Sequence, residues 1–296
     1  MAVYKRQYQP YEGETTAHWQ RVMVLPRYAY RRVFQSRFFL IFFVICFVVP
    51  VGSSILIYLR HNLSALELLN IPADALLAID ATFFRYLLRI QAVFAFLLTV
   101  FVGPGLISPD LANNGLALYL SRPFSRADYV LGKMSILMIL QSAVTWIPLT
   151  ALFFLQGSLA GVEWMVDNGR ILLAILVGSI AWMVLLSLLA LAISAWVRWR
   201  PVAGALMFGV FIVGQGFGAI LKEVLVTRWA GLFQINYLFQ IIWGQLFGDA
   251  VEGTFRIHGR TLADVPVTGA WITVVFLCLI CLLLLSRRIR AYEVVR

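Results

Sequence analysis

The chain has 296 residues, 61% of them hydrophobic and 13% charged, with a mean hydropathy of +0.87. Soluble domains carry about 25% charged residues, so this composition excludes a soluble enzyme or binding domain and indicates an all-α polytopic membrane protein. The net charge of +10 is distributed as a membrane-orienting signal is, and no nucleic-acid partner is expected.

Residues 1–37 hold Lys5, Arg6, Arg21, Arg27, Arg31, Arg32 and Arg37 and have no early apolar core, so no cleavable signal peptide is read there. Trp19, Val22, Met23, Leu25, Tyr28, Tyr30, Val33 and Phe34 alternate with the basic residues. That pattern suits an N-terminal interfacial helix that snorkels its arginines among headgroups. Up to Glu14, a disordered basic tail fits equally well. The first span covers 38–59, about 33 Å at 1.5 Å per residue, with Pro50 and Gly52 expected to bend it. Residues 59–82, with Leu66, Leu68, Leu69, Leu76 and Leu77, read as a small amphipathic cap outside. The second span has its core at 91–102, extended backward to Phe83 with Arg85 and Arg89 near the outer end.

Between the second and third spans lies the polar, turn-rich stretch 103–133, GPGLISPDLANNGLALYLSRPFSRADYVLGK. Flanked by two apolar runs, it must sit at one membrane surface. Gly103, Pro104 and Gly105 break the preceding helix and are hinge candidates. Ser108, Pro109 and Asp110 have the order that starts a helix: a capping hydroxyl, a proline at the first position, an acid in the first turn. The short helix expected there has Leu111, Leu116, Leu118 and Tyr119 on its apolar side, Asn113 and Asn114 elsewhere, and Gly115 in its middle; Pro123 stops it. Ser125 and Asp128 form a capping pair for the next span.

The residues Asp110, Gly115, Leu120, Ser121, Arg122, Pro123, Ser125, Arg126, Tyr129, Gly132 and Lys133 resemble the first cytoplasmic loop of type 2 ATP-binding-cassette (ABC) exporter permeases. In that family the loop is the coupling helix, which docks in a groove of a separate ATPase subunit. The resemblance implies that Asp110, Asn113, Asn114, Gly115, Leu118, Arg122, Pro123 and Arg126 take part in ATPase coupling. It also implies two permease subunits facing each other, the same chain or a similar one, with ATP and magnesium bound by the ATPase partner. Relatives carry more charge before the glycine, where this chain has Leu111, Ala112, Asn113 and Asn114.

Four more spans follow, at 134–155 with Pro148, at 171–197, at 202–226 and at 271–285. Residues 229–247 are apolar and aromatic but interrupted by Gln234, Asn236, Gln240 and Gln245. A span there would carry the basic C-terminus outside, so these residues read as a re-entrant or surface-lying pair of short helices within an outer re-entrant helical segment, 227–268. With the N-terminus inside, sixteen of the 24 Lys and Arg fall on inner segments. The positive-inside rule then places both termini, the 103–133 loop and the 287–296 tail in the cytoplasm, and the six-helix domain 38–286 in the inner membrane.

Catalytic sets are missing. His18, His61 and His258 fall on opposite sides of the membrane. Gly132-Lys133-Met134 departs from a phosphate loop, with Ala127 at the earlier glycine and Met134 at the magnesium-binding hydroxyl. The chain therefore binds no cofactor by that motif and is not read as an enzyme. Cys278 and Cys281 sit in lipid, where thiolates are disfavoured, and no metal site is assigned. Gln91 and Thr99 in the second span, and Gly214, Gln215 and Gly218 in the fifth, are candidates for a pathway wall or a subunit interface; packing within the chain is the alternative for the G-x-x-x-G pair. The favoured reading is the transmembrane subunit of an ABC exporter, surrounded by membrane lipid and worked through 108–122. The alternative is a non-transporting anchor of a motility or envelope-assembly complex.

Overall fold

The computed structural model describes residues 26–31, 33–62, 77–113, 126–248, 254–257, 260–263 and 265–288. Among them are six helical stretches long and apolar enough to cross a membrane: Arg37–Arg60, Ala81–Asp110, Arg126–Ala160, Gly169–Trp196, Arg200–Leu225 and Val267–Arg288. Residues 26–31 and 33–34, ahead of the first span, are helical as well.

Three of the six stretches are broken, and each break lies just before a proline. The first divides into α1 (Arg37–Ile45) and α2 (Val48–Arg60). Pro50 has no N–H to give the carbonyl four residues back, and the break sits at that carbonyl, Cys46. Gln91 Nε2 donates to it instead, at 3.1 Å. In membranes, polar side chains on neighbouring helices routinely satisfy backbone groups that proline frees. The second stretch is α3 (Ala81–Val102) followed after Gly103 by α4 (Pro104–Ala112). The third is α5 (Arg126–Val144) and α6 (Trp146–Ala160), which part at Thr145, three residues before Pro148.

A six-residue helix α7 (Val162–Asp167) leads into α8 (Gly169–Trp196), all but continuous with apolar residues and buried over most of its length. Helix α9 (Arg200–Leu225) follows, then a 3₁₀ turn at Arg228–Phe233, α10 (Ile235–Phe247), the antiparallel strands β1 (Thr254–Ile257) and β2 (Arg260–Ala263), and α11 (Val267–Arg288). Helix α8 is the axis of the molecule: α3, α4, α5, α10 and α11 all pack on it. About 61% of the central window is buried in the second and fourth stretches, against about 20% in the first, fifth and sixth, so the latter three lie at the periphery.

Up to Phe247 the outer segment consists of two short helices, the 3₁₀ turn and α10; beyond it two four-residue strands form a hairpin, which the expected helical segment did not include. The 13 residues of α10 span about 20 Å, too short to cross. This helix instead inserts its apolar face among α3, α8, α9 and α11. Arg170 ties its C-terminal carbonyls, donating to Leu246 at 3.0 Å and Gln245 at 2.6 Å. Cationic side chains at helix C-termini satisfy carbonyls that lack an intrahelical donor.

Candidate coupling site

The expected helix start at Ser108 does not occur. Helix α4 begins at Pro104, and Ser108 and Pro109 stand inside it. The S-P-D order predicts a cap when the serine hydroxyl is free to bend back on its own backbone. Here that hydroxyl is engaged across the bundle, 2.6 Å from the Val197 carbonyl and 3.0 Å from the Ser194 carbonyl. Residues 114–125, which include Asn114, Gly115, Leu118, Arg122 and Pro123, lie outside the described residues.

What the structure describes are the two roots of that stretch. Asp110, on the last turns of α4, faces α5. Lys133 Nζ lies 2.8 Å from Asp110 Oδ2, and Tyr129 donates its hydroxyl to the same oxygen at 2.7 Å. Tyr129 and Lys133 are four residues apart and so share one face of α5. Tyr129 is fully buried, and the Lys133 ammonium stands 5.5 Å from the centre of its ring. A carboxylate that takes both an ammonium and a phenol is held by charge-assisted bonds, the stronger class. The ascending and descending arms of the loop are thereby pinned to each other. Asn113 is exposed at the end of the described arm, and Arg126, also exposed, opens the other.

A groove of about 590 Å³ lies beside the pin, between the N-terminal helical turn and the α3–α4 junction, with Tyr28, Phe38, Phe101, Asp110, Lys133 and Arg200 on its walls. Tyr30 anchors that turn to α5, its hydroxyl 3.2 Å from the Ile136 carbonyl. Burial pushes the Tyr30 phenol up to about 12. The N-terminal segment therefore keeps this bond through neutral and moderately alkaline pH.

The model of a family described as ABC-2 family transporter protein matches residues 30–288. The chain belongs to that family. No curated protein matches it. As an ABC-2 family member with six apolar helices, it is a multi-pass transmembrane subunit of an ABC transporter.

The remaining sequence candidates of this ABC-2 subunit fall into three groups. Gln91 and Thr99 are fully buried between its own helices. Gln91 holds the Cys46 carbonyl, while Thr99 accepts from Gln141 Nε2 at 2.8 Å and so joins α3 to α5. Gly214 and Gly218 face the chain's own 3₁₀ turn. A Cβ at Gly214 would meet the Phe233 carbonyl at 2.8 Å, and one at Gly218 the Ala230 carbonyl at 2.9 Å. Gln215 offers its carbonyl to Gln234 Nε2 at 3.3 Å. The hinge candidates lie at the α3–α4 junction, where a Cβ on Gly103 would meet the Ala190 Cβ of α8 at 2.8 Å. Sequence reasoning missed the role of Tyr129 and Lys133 as partners of Asp110, and it missed which backbone groups Ser194 would hold. The first was signalled by the four-residue spacing; the second has no local signal.

Proposed function

We propose that this chain is the permease subunit of an ABC exporter, and that separate ATPase subunits drive it through the 108–122 stretch. The observation that carries the reading is the pin of Asp110 to Tyr129 and Lys133. It makes one stiff unit of the two helices that enter and leave the stretch, so force applied to the stretch reaches α4 and α5 together. A loosely rooted loop would absorb the same force. The excess of basic residues in the segments read as inner, among them Arg126, Lys133, Arg198, Arg200, Arg287 and Arg288, supports a cytoplasmic position for this end and for both termini, in the inner membrane. ATP and magnesium belong to the ATPase partner, and a second permease chain, the same or similar, completes the assembly.

The test is co-expression of a tagged chain with its ATPase. The ATPase co-purifies, and Gly115→Pro or Arg122→Glu lowers its recovery or its hydrolysis rate. Recovery and rate indifferent to both substitutions, or residue 113 accessible only from outside, would overturn the reading.

A further inference from the structure

We infer that Ser194 is the positioning residue through which movement of α4 is delivered to α8, and so to α10 at the far end of the bundle. The inference rests on the coupling role proposed above.

Helix α4 is tied to α3 weakly and to α8 closely. Pro104 has no N–H, so the Val100 carbonyl receives no bond from it, and Pro109 likewise leaves the Gly105 carbonyl without its usual donor. Across the gap, Ser194 Oγ accepts from the backbone N–H groups of Ile107 at 3.2 Å and Ser108 at 3.0 Å. Ile107 and Ser108 are the fourth and fifth residues of α4, so Ser194 grips that helix close to its Pro104 end. The same hydroxyl lies 3.2 Å from the Pro104 carbonyl, and the Ser108 hydroxyl reaches back to the carbonyls of Ser194 and Val197. Both serines are fully buried, so water does not compete for these bonds. One turn earlier on α8, Ala190 closes on Gly103 with no space for a side chain. The supposed hinge is therefore seated against α8. When α4 moves it carries this end of α8 with it.

Helix α8 is unbroken over 28 residues. At its other end Arg170 holds the last carbonyls of α10, and along its length Trp243 of α10 donates to the Gly178 carbonyl at 3.3 Å. A displacement received at Ser194 thus has a continuous solid path to α10.

The test uses the full permease–ATPase complex in lipid nanodiscs, with Cys46, Cys278 and Cys281 replaced by alanine and Gln240→Cys, exposed on α10, as the reporter. The rate of modification by a charged maleimide is measured without nucleotide and after trapping with ATP and vanadate. The expected result is a rate that changes on trapping, a Ser194→Ala complex that still hydrolyses ATP but shows the same rate in both states, and recovery of the change in Ser194→Thr. Ser108→Ala, which removes the bonds to Ser194 and Val197 alone, reduces the change and serves if Ser194→Ala does not yield folded complex. A change that survives intact in Ser194→Ala or in Ser108→Ala, or a reporter that never responds while ATP is hydrolysed, overturns the inference. Failure of the ATPase to co-purify with the otherwise unaltered chain instead overturns the coupling reading on which it stands.

Discussion

The side chain of Lys133 is 10% exposed and that of Asp110 20%, so the Asp110 carboxylate depends on Lys133 and Tyr129 rather than on water. Replacing Lys133 by Met keeps the volume but leaves a mostly buried carboxylate with the Tyr129 hydroxyl alone. A buried polar group that loses its partner costs about 1–3 kcal/mol and a charged one more, and the purified Lys133→Met protein is expected to melt at a lower temperature accordingly. Adding Asp110→Asn removes the orphaned charge. The double variant is expected to lose less than the sum of the two single ones, in a cycle of thermal midpoints, because the residues are in contact. The pair was legible in part: Asp110, Tyr129 and Lys133 all belong to the motif that suggested the family, and the four-residue step from Tyr129 to Lys133 places both on one helical face. Ser194 was not legible. Its bonds reach Ile107 and Ser108, 87 and 86 residues away, and a serine within an apolar run carries no mark of the partner it will meet.

Pairs of helices in this protein are fitted together by glycines and by breaks at prolines. Gly214 and Gly218 let α9 approach the 3₁₀ turn, whereas Gly209 and Gly216 on the same helix have nothing within 4 Å. Gly218→Ala is therefore expected to destabilise by about 1–3 kcal/mol, since backbone must shift to admit a methyl. Gly209→Ala and Gly216→Ala are expected to be neutral or to stabilise by up to about 1 kcal/mol through helix propensity. Thermal unfolding of the three variants separates the cases. The break before Pro50 yields a second comparison. Gln91→Leu strips the Cys46 carbonyl of its donor and is expected to cost about 1–2 kcal/mol, the range for an interhelical bond in a membrane. In a Pro50→Ala background, where the backbone supplies that donor again, the same substitution is expected to cost less. The prolines were plain in the sequence as sites of bending. Which groups would answer the freed carbonyls was not, because that depends on which helix lies alongside. The S-P-D order at 108–110 misled for the same reason, tertiary partners having claimed the hydroxyl that a local cap requires.

Six spans were legible because an apolar run long enough to cross lipid is a length requirement met along the chain, independent of neighbours. The hairpin at 254–263 was not anticipated, although Thr254, Phe255, Arg256 and Ile257 alternate and Gly259 supplies a turn residue before Arg260. Sidedness is a property of the whole molecule, and cysteine accessibility in sealed vesicles measures it. Asn113→Cys is expected to react with an impermeant thiol reagent only from the cytoplasmic face, and Val166→Cys, on the exposed helix α7, only from the other. The bundle interior has a further consequence. Trp182 is wedged among Phe211, Phe239 and Trp243, with ring centres 4.7 to 5.9 Å apart, and α10, which carries Phe239 and Trp243, packs against both α3 and α8. A molecule threading the middle of one such chain would have to evict four rings, two indoles and two phenyls packed edge to face, at every passage. For the exporter proposed above, cargo is therefore expected at the flank of the bundle, beside the sparsely covered first, fifth and sixth spans.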